Sequence, residues 1–233
     1  MKGYGQYCPV ARASEVFAER WTPIIVRNIS LDCHSFNEIL RGAGGLSKTL
    51  LADRLRTLGR AGIVRTVPNP RGRGSLYYLT PAGQELAEVC NVLGTWGARW
   101  MEMELEHMDP LAVLWAKSRL WDVDLLPRER IVIRFDITDY PKAIWILARR
   151  TGVELCVKHP GFPEDLVVTA DRETLTLWHS GRLPYGHAIR SGRMTVEGPR
   201  DLVRTFPTWV PLSLFADVKP AASARPEAVE RAL

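Results

Sequence analysis

The sequence predicts an α+β protein of two domains, and three observations support this prediction. The chain has 233 residues, enough for two ordinary domains with cores of their own. Hydrophobic residues make up 46% of it and charged residues 24%, which is typical of globular proteins and unlike disordered, collagen-like or disulfide-rich chains. Helical spacing of apolar residues dominates the chain as far as Trp100, and a strictly alternating strand pattern begins near Arg130.

Positive charge is concentrated in the N-terminal part of the chain. The formal net charge is +5, but residues 1–100 hold 13 Lys and Arg against 7 Asp and Glu, whereas residues 101–233 hold 18 against 19. Within residues 41–73, eight basic residues accompany a single acid, Asp53. Such a block favours a polyanionic partner, although a solvated surface with surplus arginine would carry the same charge.

Three helices are predicted before the first strand. The first follows Thr22 and Pro23, where a cap precedes helically spaced isoleucines. The second begins at Ser35, which is placed to form a capping box with Glu38. The third begins at Ser47. Its apolar face is formed by Leu51, Leu55 and Leu58.

The opposite face of the third helix carries small, polar and basic side chains toward its N-terminus. With the capping serine, these residues are Ser47, Lys48, Thr49, Ala52, Asp53 and Arg56. In helix-turn-helix proteins the second helix of the motif enters the major groove and its N-terminal residues reach the base edges. Lysine and arginine also neutralise phosphates. This helix is therefore the candidate recognition helix, and duplex DNA is the expected partner.

A β hairpin is predicted directly after this helix. Residues 63–67 are rich in β-branched side chains, residues 76–79 form a second apolar run, and the turn between them contains Arg71 and Arg73. In this position the hairpin is the wing of a winged helix-turn-helix domain. Both arginines are expected to contact DNA, either in the minor groove or at phosphates.

A long helix is predicted from Thr80 and Pro81, extending to about His107, with a wide apolar face. A single winged helix cannot bury this whole face, which predicts a homodimer with its recognition helices about one DNA turn apart. The alternative is that the face packs against the C-terminal domain.

Four blocks within about residues 7–100 resemble the HxlR-type winged-helix transcriptional regulators, in the same order. They are YCPVARASEVFAERWTPIIVRNI, FNEIL, LSKTLLADRLRTLGRAGIV and YYLTPAGQEL. The resemblance implies a homodimer that binds a pseudo-palindromic operator through the helix at Ser47 and through the wing. Some members of this family sense oxidants or electrophiles with a cysteine at the start of the family's first helix, which would lie before Thr22 in this chain. Cys8 matches that position.

Cys8 is the candidate redox residue because a helix N-terminus favours the thiolate form. The alternative is a cysteine retained for packing. The other cysteines, Cys33, Cys90 and Cys156, form no C-x-x-C motif and have no histidine at metal-ligand spacing, so we expect no metal site. In a reducing cytoplasm all four are expected to be thiols.

The C-terminal part is predicted to be an α+β domain with an antiparallel sheet. Helices are expected after the caps Asp109, Asp171 and Pro199. The expected strands cover residues 130–138, 143–148, 153–157, 165–169 and 193–197. On the first strand, the side chains of Val132, Arg134 and Asp136 are expected to form the polar face.

Two blocks of this part, VVTADRETLTLWHSGRL and AIRSGRMTVEGPRDLVRTF, resemble sterol carrier protein type 2 domains. The resemblance implies an apolar tunnel for a lipid-like or aromatic molecule. The abundance of tryptophan here suits either a large core or an aromatic-lined pocket. The candidate ligand-binding residues are Trp145, Trp178, Trp115 and Phe135.

The expected domains are a DNA-binding and dimerisation domain at 1–106, a sterol-carrier-like domain at 107–218 and a flexible tail at 219–233. The expected function is a cytoplasmic homodimeric transcriptional regulator whose DNA affinity changes when an apolar or amphipathic molecule binds the second domain. A thiol-based sensor acting through Cys8 and a hydrophobic-ligand carrier are the alternatives. No catalytic motif, cofactor site or membrane segment is expected.

Overall fold

The computed structural model describes residues 3–70 and 72–221. The chain divides between Gly94 and Thr95 into two compact units. Arg71 and the predicted tail from residue 222 onward lie outside the described residues, and the expected domain ranges stay predictions. Within residues 3–70 and 72–221, no helix combines the length and the hydropathy that crossing a bilayer requires.

The N-terminal unit has the element order of a winged helix. Its elements are α1 (Pro9–Phe17), α2 (Thr22–Ser30), α3 (Phe36–Arg41), α4 (Lys48–Arg60), β1 (Val64–Pro68), β2 (Ser75–Leu79) and α5 (Pro81–Trp100), whose last turns extend past Gly94. Strands β1 and β2 are antiparallel, with Val64 opposite Leu79 and Pro68 opposite Ser75. The pair α3 and α4 is the helix-turn-helix, and β1 and β2 form the wing.

Side-chain caps fix the starts of α3 and α4. The Ser35 hydroxyl accepts a hydrogen bond from the Glu38 backbone N–H, and the Glu38 carboxylate accepts one from the Ser35 backbone N–H at 2.8 Å. The Ser47 hydroxyl accepts a hydrogen bond from the Leu50 backbone N–H at 3.2 Å. Each cap satisfies backbone donors that a helix start leaves free. Both predicted helix starts are confirmed.

The predicted core face of α4 is also confirmed. Its leucines at positions 51, 55 and 58 are at most 4% exposed. They turn α4 so that its opposite face points to solvent, which is what a recognition helix requires.

Helix α5 begins in close contact with the wing. The Thr80 hydroxyl accepts a hydrogen bond from the Gly83 backbone N–H at 3.1 Å and donates one to the Gly62 carbonyl at 2.6 Å. A Cβ atom at Gly83 would overlap the carbonyl of Ile63 and lie 3.2 Å from the Cβ atom of Leu79. Glycine therefore lets the helix approach the hairpin backbone.

The predicted end of this helix was wrong. Helix α5 ends at Trp100, and a separate 3-10 turn covers Leu105–His107. The apolar periodicity continues past the end of the helix, which explains the longer prediction.

The C-terminal unit consists of a five-stranded sheet and helices. The elements are α6 (Pro110–Arg119), β3 (Arg130–Ile137), β4 (Ile144–Arg149), β5 (Gly152–Cys156), β6 (Leu166–Ala170), α7 (Arg172–His179), α8 (Tyr185–Arg190), β7 (Met194–Glu197) and α9 (Arg200–Trp209). The strand order is β5-β4-β3-β6-β7. The caps Asp109 and Asp171 are confirmed, since each accepts a hydrogen bond from a backbone N–H in its helix. Helix α8 was not predicted.

The prediction of an antiparallel sheet was wrong for one strand pair. Strands β3 and β6 are parallel, with Ile133 opposite Leu166. After β5 the chain returns across the sheet through residues 157–165, whose Phe162 ring lies 4.2 Å from the Arg130 guanidinium carbon. It then enters β6 on the far side of β3, with the Asp165 carboxylate accepting a hydrogen bond from the Val132 backbone N–H. Such a crossover makes neighbouring strands parallel.

The two faces of the sheet have different coverings. One face forms the core with the helices, and it includes Ile133, Phe135 and Ile146. The return segment covers part of the other face. Val132 was expected on a polar face, but it is fully buried because β3 is the central strand.

Candidate nucleic-acid interface

The structure brings the predicted recognition residues together on the exposed N-terminal half of α4. Ser47, Lys48, Thr49, Asp53 and Arg56 are exposed. The alanine at position 52 lies between them and is half-buried. The surface is therefore short-chained and polar, with cationic side chains on long flexible stems. Such a surface can enter a major groove without steric obstruction.

Two of these residues form an ion pair in solvent. The Arg56 guanidinium lies 2.7 Å from the Asp53 carboxylate, and both side chains are more than half exposed. An exposed pair of this kind contributes about 0–1 kcal/mol. Arg56 can therefore leave Asp53 for a phosphate or a guanine at little cost, and Asp53 then becomes available as an acceptor.

One arginine of the basic block has a structural role instead. The Arg54 guanidinium lies 2.6 Å from the Glu19 carboxylate, and the two side chains are 18% and 22% exposed. This pair ties α4 to the segment between α1 and α2. The charge count of the sequence could not separate Arg54 from its exposed neighbours, because its partner lies 35 residues earlier in the chain.

The wing adds further positive charge to the same unit. Its tip is closed by a hydrogen bond from the Asn69 backbone N–H to the Gly74 carbonyl at 3.0 Å, and Arg73 is exposed there. On β1, the exposed Arg65 places its guanidinium 4.7 Å from the centre of the Tyr78 ring. Sequence reasoning did not select Arg65, although its outward position on an alternating strand was a usable signal.

Of the four cysteines, Cys8 alone is exposed. It occupies the N-cap position of α1, and its backbone carbonyl accepts a hydrogen bond from the Arg12 backbone N–H. The Arg12 guanidinium is paired with Glu15 at 2.7 Å. Cys33 is buried, and burial raises the pKa of Cys90 to about 11, which keeps that thiol protonated and unreactive.

The predicted ligand-binding residues of the C-terminal unit do not share one surface. Phe135 and Trp178 are buried in the core. Trp145 lies on the opposite face of the sheet, where its indole N–H donates a hydrogen bond to Glu164 at 3.1 Å. Trp115 is half-buried on α6. The sheet therefore separates Trp145 from Trp178, and the two do not line a common space.

Comparison with known proteins identifies the N-terminal unit. Residues 16–105 match the family described as HxlR-like helix-turn-helix. The uncharacterized HTH-type transcriptional regulator YtfH of Escherichia coli (strain K12) is 27% identical over 106 residues, which are 45% of this chain and 81% of YtfH. The uncharacterized HTH-type transcriptional regulator Rv3095 of Mycobacterium tuberculosis is 33% identical over 93 residues, which are 40% of this chain and 58% of Rv3095.

Among solved structures, the reduced form of the transcriptional regulator YodB from B. subtilis is 26% identical. It aligns with 42% of this chain and 97% of its own, at a TM-score of 0.36. The family match covers the helix-turn-helix formed by α3 and α4 and the wing formed by β1 and β2. Residues 16–105 therefore carry an HxlR-like helix-turn-helix domain, and the relatives YtfH and Rv3095 that match this part of the chain are named as transcriptional regulators.

Proposed function

We propose that the protein is a homodimeric regulator that binds an operator through α4 and the wing, and that a small apolar or amphipathic molecule in the C-terminal unit changes its DNA affinity. The observation that carries the DNA-binding part is the exposed N-terminal half of α4, where Lys48 and Arg56 stand among small polar side chains. Lysine and arginine bind guanine edges and phosphates, and a helix start without bulky apolar groups fits the major groove.

Each proposed contact residue has a role that follows from its chemistry. Lys48 and Arg56 donate to guanine or phosphate, and Asp53 accepts from a cytosine amino group once Arg56 has left it. Thr49 and Ala52 contact thymine methyl groups. The Ser47 hydroxyl caps α4 and holds its start in position. The wing arginines 71 and 73 contact the flanking minor groove or phosphates.

The dimer part of the proposal rests on an apolar face of α5. Five large apolar side chains recur at helical spacing and are between 45% and 70% exposed: Val89, Val92, Leu93, Trp96 and Trp100. A continuous apolar face of this size on a monomer is unusual. We propose that a second copy covers it, because a two-fold axis makes such a face self-complementary.

Selection from a random duplex pool tests the DNA-binding and dimer parts together. We expect enrichment of an inverted repeat whose half-sites are about 10 base pairs apart, centre to centre, or a multiple of this. We also expect native mass spectrometry to find two chains on each selected duplex. A single half-site bound by one chain would contradict the dimer, and a pool without enrichment would contradict sequence-specific binding.

The effector part of the proposal rests on the aromatic core of the C-terminal unit and on its resemblance to sterol carrier protein type 2 domains. The Trp178 ring is stacked on Phe206 at a centroid distance of 5.7 Å, and Phe135 belongs to the same core. Trp115 on α6 remains a candidate contact at its margin, whereas Trp145 remains a candidate only on the opposite face of the sheet. An effector changes DNA affinity only if it binds the DNA-competent and DNA-incompetent states unequally.

A second candidate mechanism is thiol sensing by Cys8. The observation that favours it is that Cys8 is exposed at the N-cap of α1, whereas Cys33 is buried and the others are half-buried. The positive end of a helix stabilises a thiolate, which is the form that reacts with oxidants and quinones.

Diamide treatment tests this mechanism. We expect oxidation to lower operator affinity in the wild type and to have no effect in Cys8→Ser, because the reactive sulfur is then absent. Cys156→Ser is the matched control and should respond like the wild type. If peptide mass spectrometry finds Cys8 unmodified at doses that oxidise an exposed reference thiol, the sensor mechanism is wrong.

A further inference from the structure

A lysine is fully buried in the core of the C-terminal unit. Lys117 lies on α6 with no exposed surface. Its Nζ atom donates a hydrogen bond to the Pro211 carbonyl at 2.7 Å and lies 3.6 Å from the centre of the Trp178 ring. A lysine nitrogen can donate two hydrogen bonds as an amine and three as an ammonium group, but here it has a single oxygen acceptor. Burial lowers the pKa of Lys117 well below its usual value.

Two more buried nitrogen atoms of the C-terminal unit have no hydrogen-bond partner among the described residues. His179, on α7, is 8% exposed, and its Nδ1 atom has no hydrogen-bond partner among residues 3–70 and 72–221. Burial, together with the nearby charge of Lys117, lowers the pKa of His179 to about 3. Trp121 follows α6 and is also 8% exposed, and its indole N–H has no partner in the described part of the chain. Lys117, His179 and Trp121 are called the donor cluster below.

The donor cluster lacks a negative charge. In the part of the chain that the structure describes, no carboxylate lies within salt-bridge distance of Lys117. A buried amine without an acidic partner is costly, and so is each buried N–H without an acceptor. A group that supplies several acceptor atoms and one negative charge would complement these nitrogens, because an anion beside Lys117 favours the protonated amine, which then pairs with it. A carboxylate has two oxygens with about four acceptor sites, whereas an alcohol or a ketone has no charge.

The surroundings of the donor cluster are aromatic. The Trp121 ring lies 6.0 Å from that of Trp209, and Trp209 meets Phe206 edge-on at 5.4 Å. Phe206 in turn stacks on the ring that covers Lys117. Polar donors beside aromatic rings are characteristic of sites that bind amphipathic molecules.

We propose that the donor cluster binds the carboxylate of an organic acid whose apolar part lies against these aromatic rings. This inference rests on the effector part of the proposed function and names the chemical class of the effector. Lys117 pairs with the carboxylate, and His179 and Trp121 donate to its oxygens. A charge-assisted pair in a site shielded from water is stronger than the same pair in solvent.

The acceptor that Lys117 now uses connects this site to a change of conformation. Pro211 belongs to the irregular segment after α9, and that segment is also held by a hydrogen bond from the Ser213 backbone N–H to the His179 carbonyl at 2.8 Å. A bound carboxylate replaces the Pro211 carbonyl as the acceptor for Lys117. The segment then loses its hydrogen bond to Lys117 on α6 and keeps the one to α7. Acid binding therefore favours displacement of the segment.

Ligand binding without DNA tests the proposal. The probes are decanoate and naphthylacetate, each compared with the primary alcohol of the same skeleton, and binding is followed by tryptophan fluorescence and calorimetry. In the wild type we expect each acid to bind at least about tenfold more tightly than its alcohol, since a charged pair contributes about 1.4 kcal/mol or more. In Lys117→Met this preference should disappear, while the alcohol binds as before.

Lys158→Met is the matched control, because Lys158 is an exposed lysine of the same unit, and it should keep the preference. If Lys117→Met does not fold, His179→Leu is tested in its place, and we expect its affinity for the acids to fall by about fivefold or more. Failure of both acids to bind the wild type, or an acid preference that survives in the folded variants, would overturn the proposal. Operator binding is measured separately, so this result leaves the DNA-binding part of the proposed function untouched.

Discussion

Replacing Lys48 and Arg56 together by alanine is expected to lower affinity for the selected operator by about a hundredfold or more. Each side chain is exposed on the proposed recognition face, and a good contact to a base contributes about 1–3 kcal/mol, where 1.4 kcal/mol corresponds to tenfold. Removing Arg56 also frees the Asp53 carboxylate, which now lies 2.7 Å from it, and a free carboxylate repels phosphate. Binding is measured by fluorescence anisotropy at fixed salt.

The fold should survive this double substitution. Exposed positions usually change stability by less than about 0.5 kcal/mol. A lysine in the first turn of α4 also opposes the helix dipole, so its removal does not weaken the helix.

The double variant Lys142→Ala with Arg204→Ala is the matched control. It removes the same charge from exposed positions of the C-terminal unit. Its affinity for the operator should stay within about threefold of the wild type, because these side chains contact no phosphate in the proposed complex. Equal losses in the two double variants would show that net charge, rather than the face of α4, governs binding, and would refute the assigned interface.

Gly83→Ala is expected to destabilise the N-terminal unit by about 2–4 kcal/mol. The new Cβ atom would overlap the Ile63 carbonyl and press on Leu79. Neither neighbour is the end of a flexible side chain, so α5 must move away from the hairpin. That movement strains the hydrogen bonds of Thr80, which cap α5 and hold it to Gly62. Thermal unfolding followed by circular dichroism measures the loss, with a fall in Tm of about 10 °C or more.

Gly59→Ala provides the matched control within the same unit. Gly59 lies in α4, and a Cβ atom there would make only an ordinary contact, 3.8 Å from the Val64 carbonyl. Alanine should stabilise the helix by about 0.5–1 kcal/mol. The two glycine substitutions therefore have opposite expected signs. If Gly83→Ala unfolds at or above the wild-type temperature, the close approach of α5 to the wing is not required for stability.

Features that depend on neighbouring residues were predictable from the sequence. The caps Ser35, Ser47 and Asp171 were identified correctly because a cap involves only residues within one helical turn. The leucine face of α4 and the wing hairpin followed from periods of 3.6 and 2 residues. The exposed face of α4 needed no further information, since it is the complement of its buried face.

Features that depend on distant residues were missed or misassigned. The pairing of Arg54 with Glu19 and the parallel pairing of β3 with β6 join segments whose proximity no local pattern specifies. Lys117 was passed over inside an apolar helix. A usable signal was present, because α6 has apolar residues on all sides and leaves little room for a solvated lysine.

The hydrogen bond of the buried Lys117 side chain also limits when the C-terminal unit can fold during synthesis. Its acceptor, Pro211, lies 94 residues further along the sequence, so a growing chain presents Lys117 to water until almost all of the C-terminal unit has been synthesised. The contacts of the winged helix join residues that are all synthesised early, so its formation does not wait for the C-terminal unit. During synthesis, the proposed DNA-binding domain can therefore fold before the unit that is proposed to regulate it.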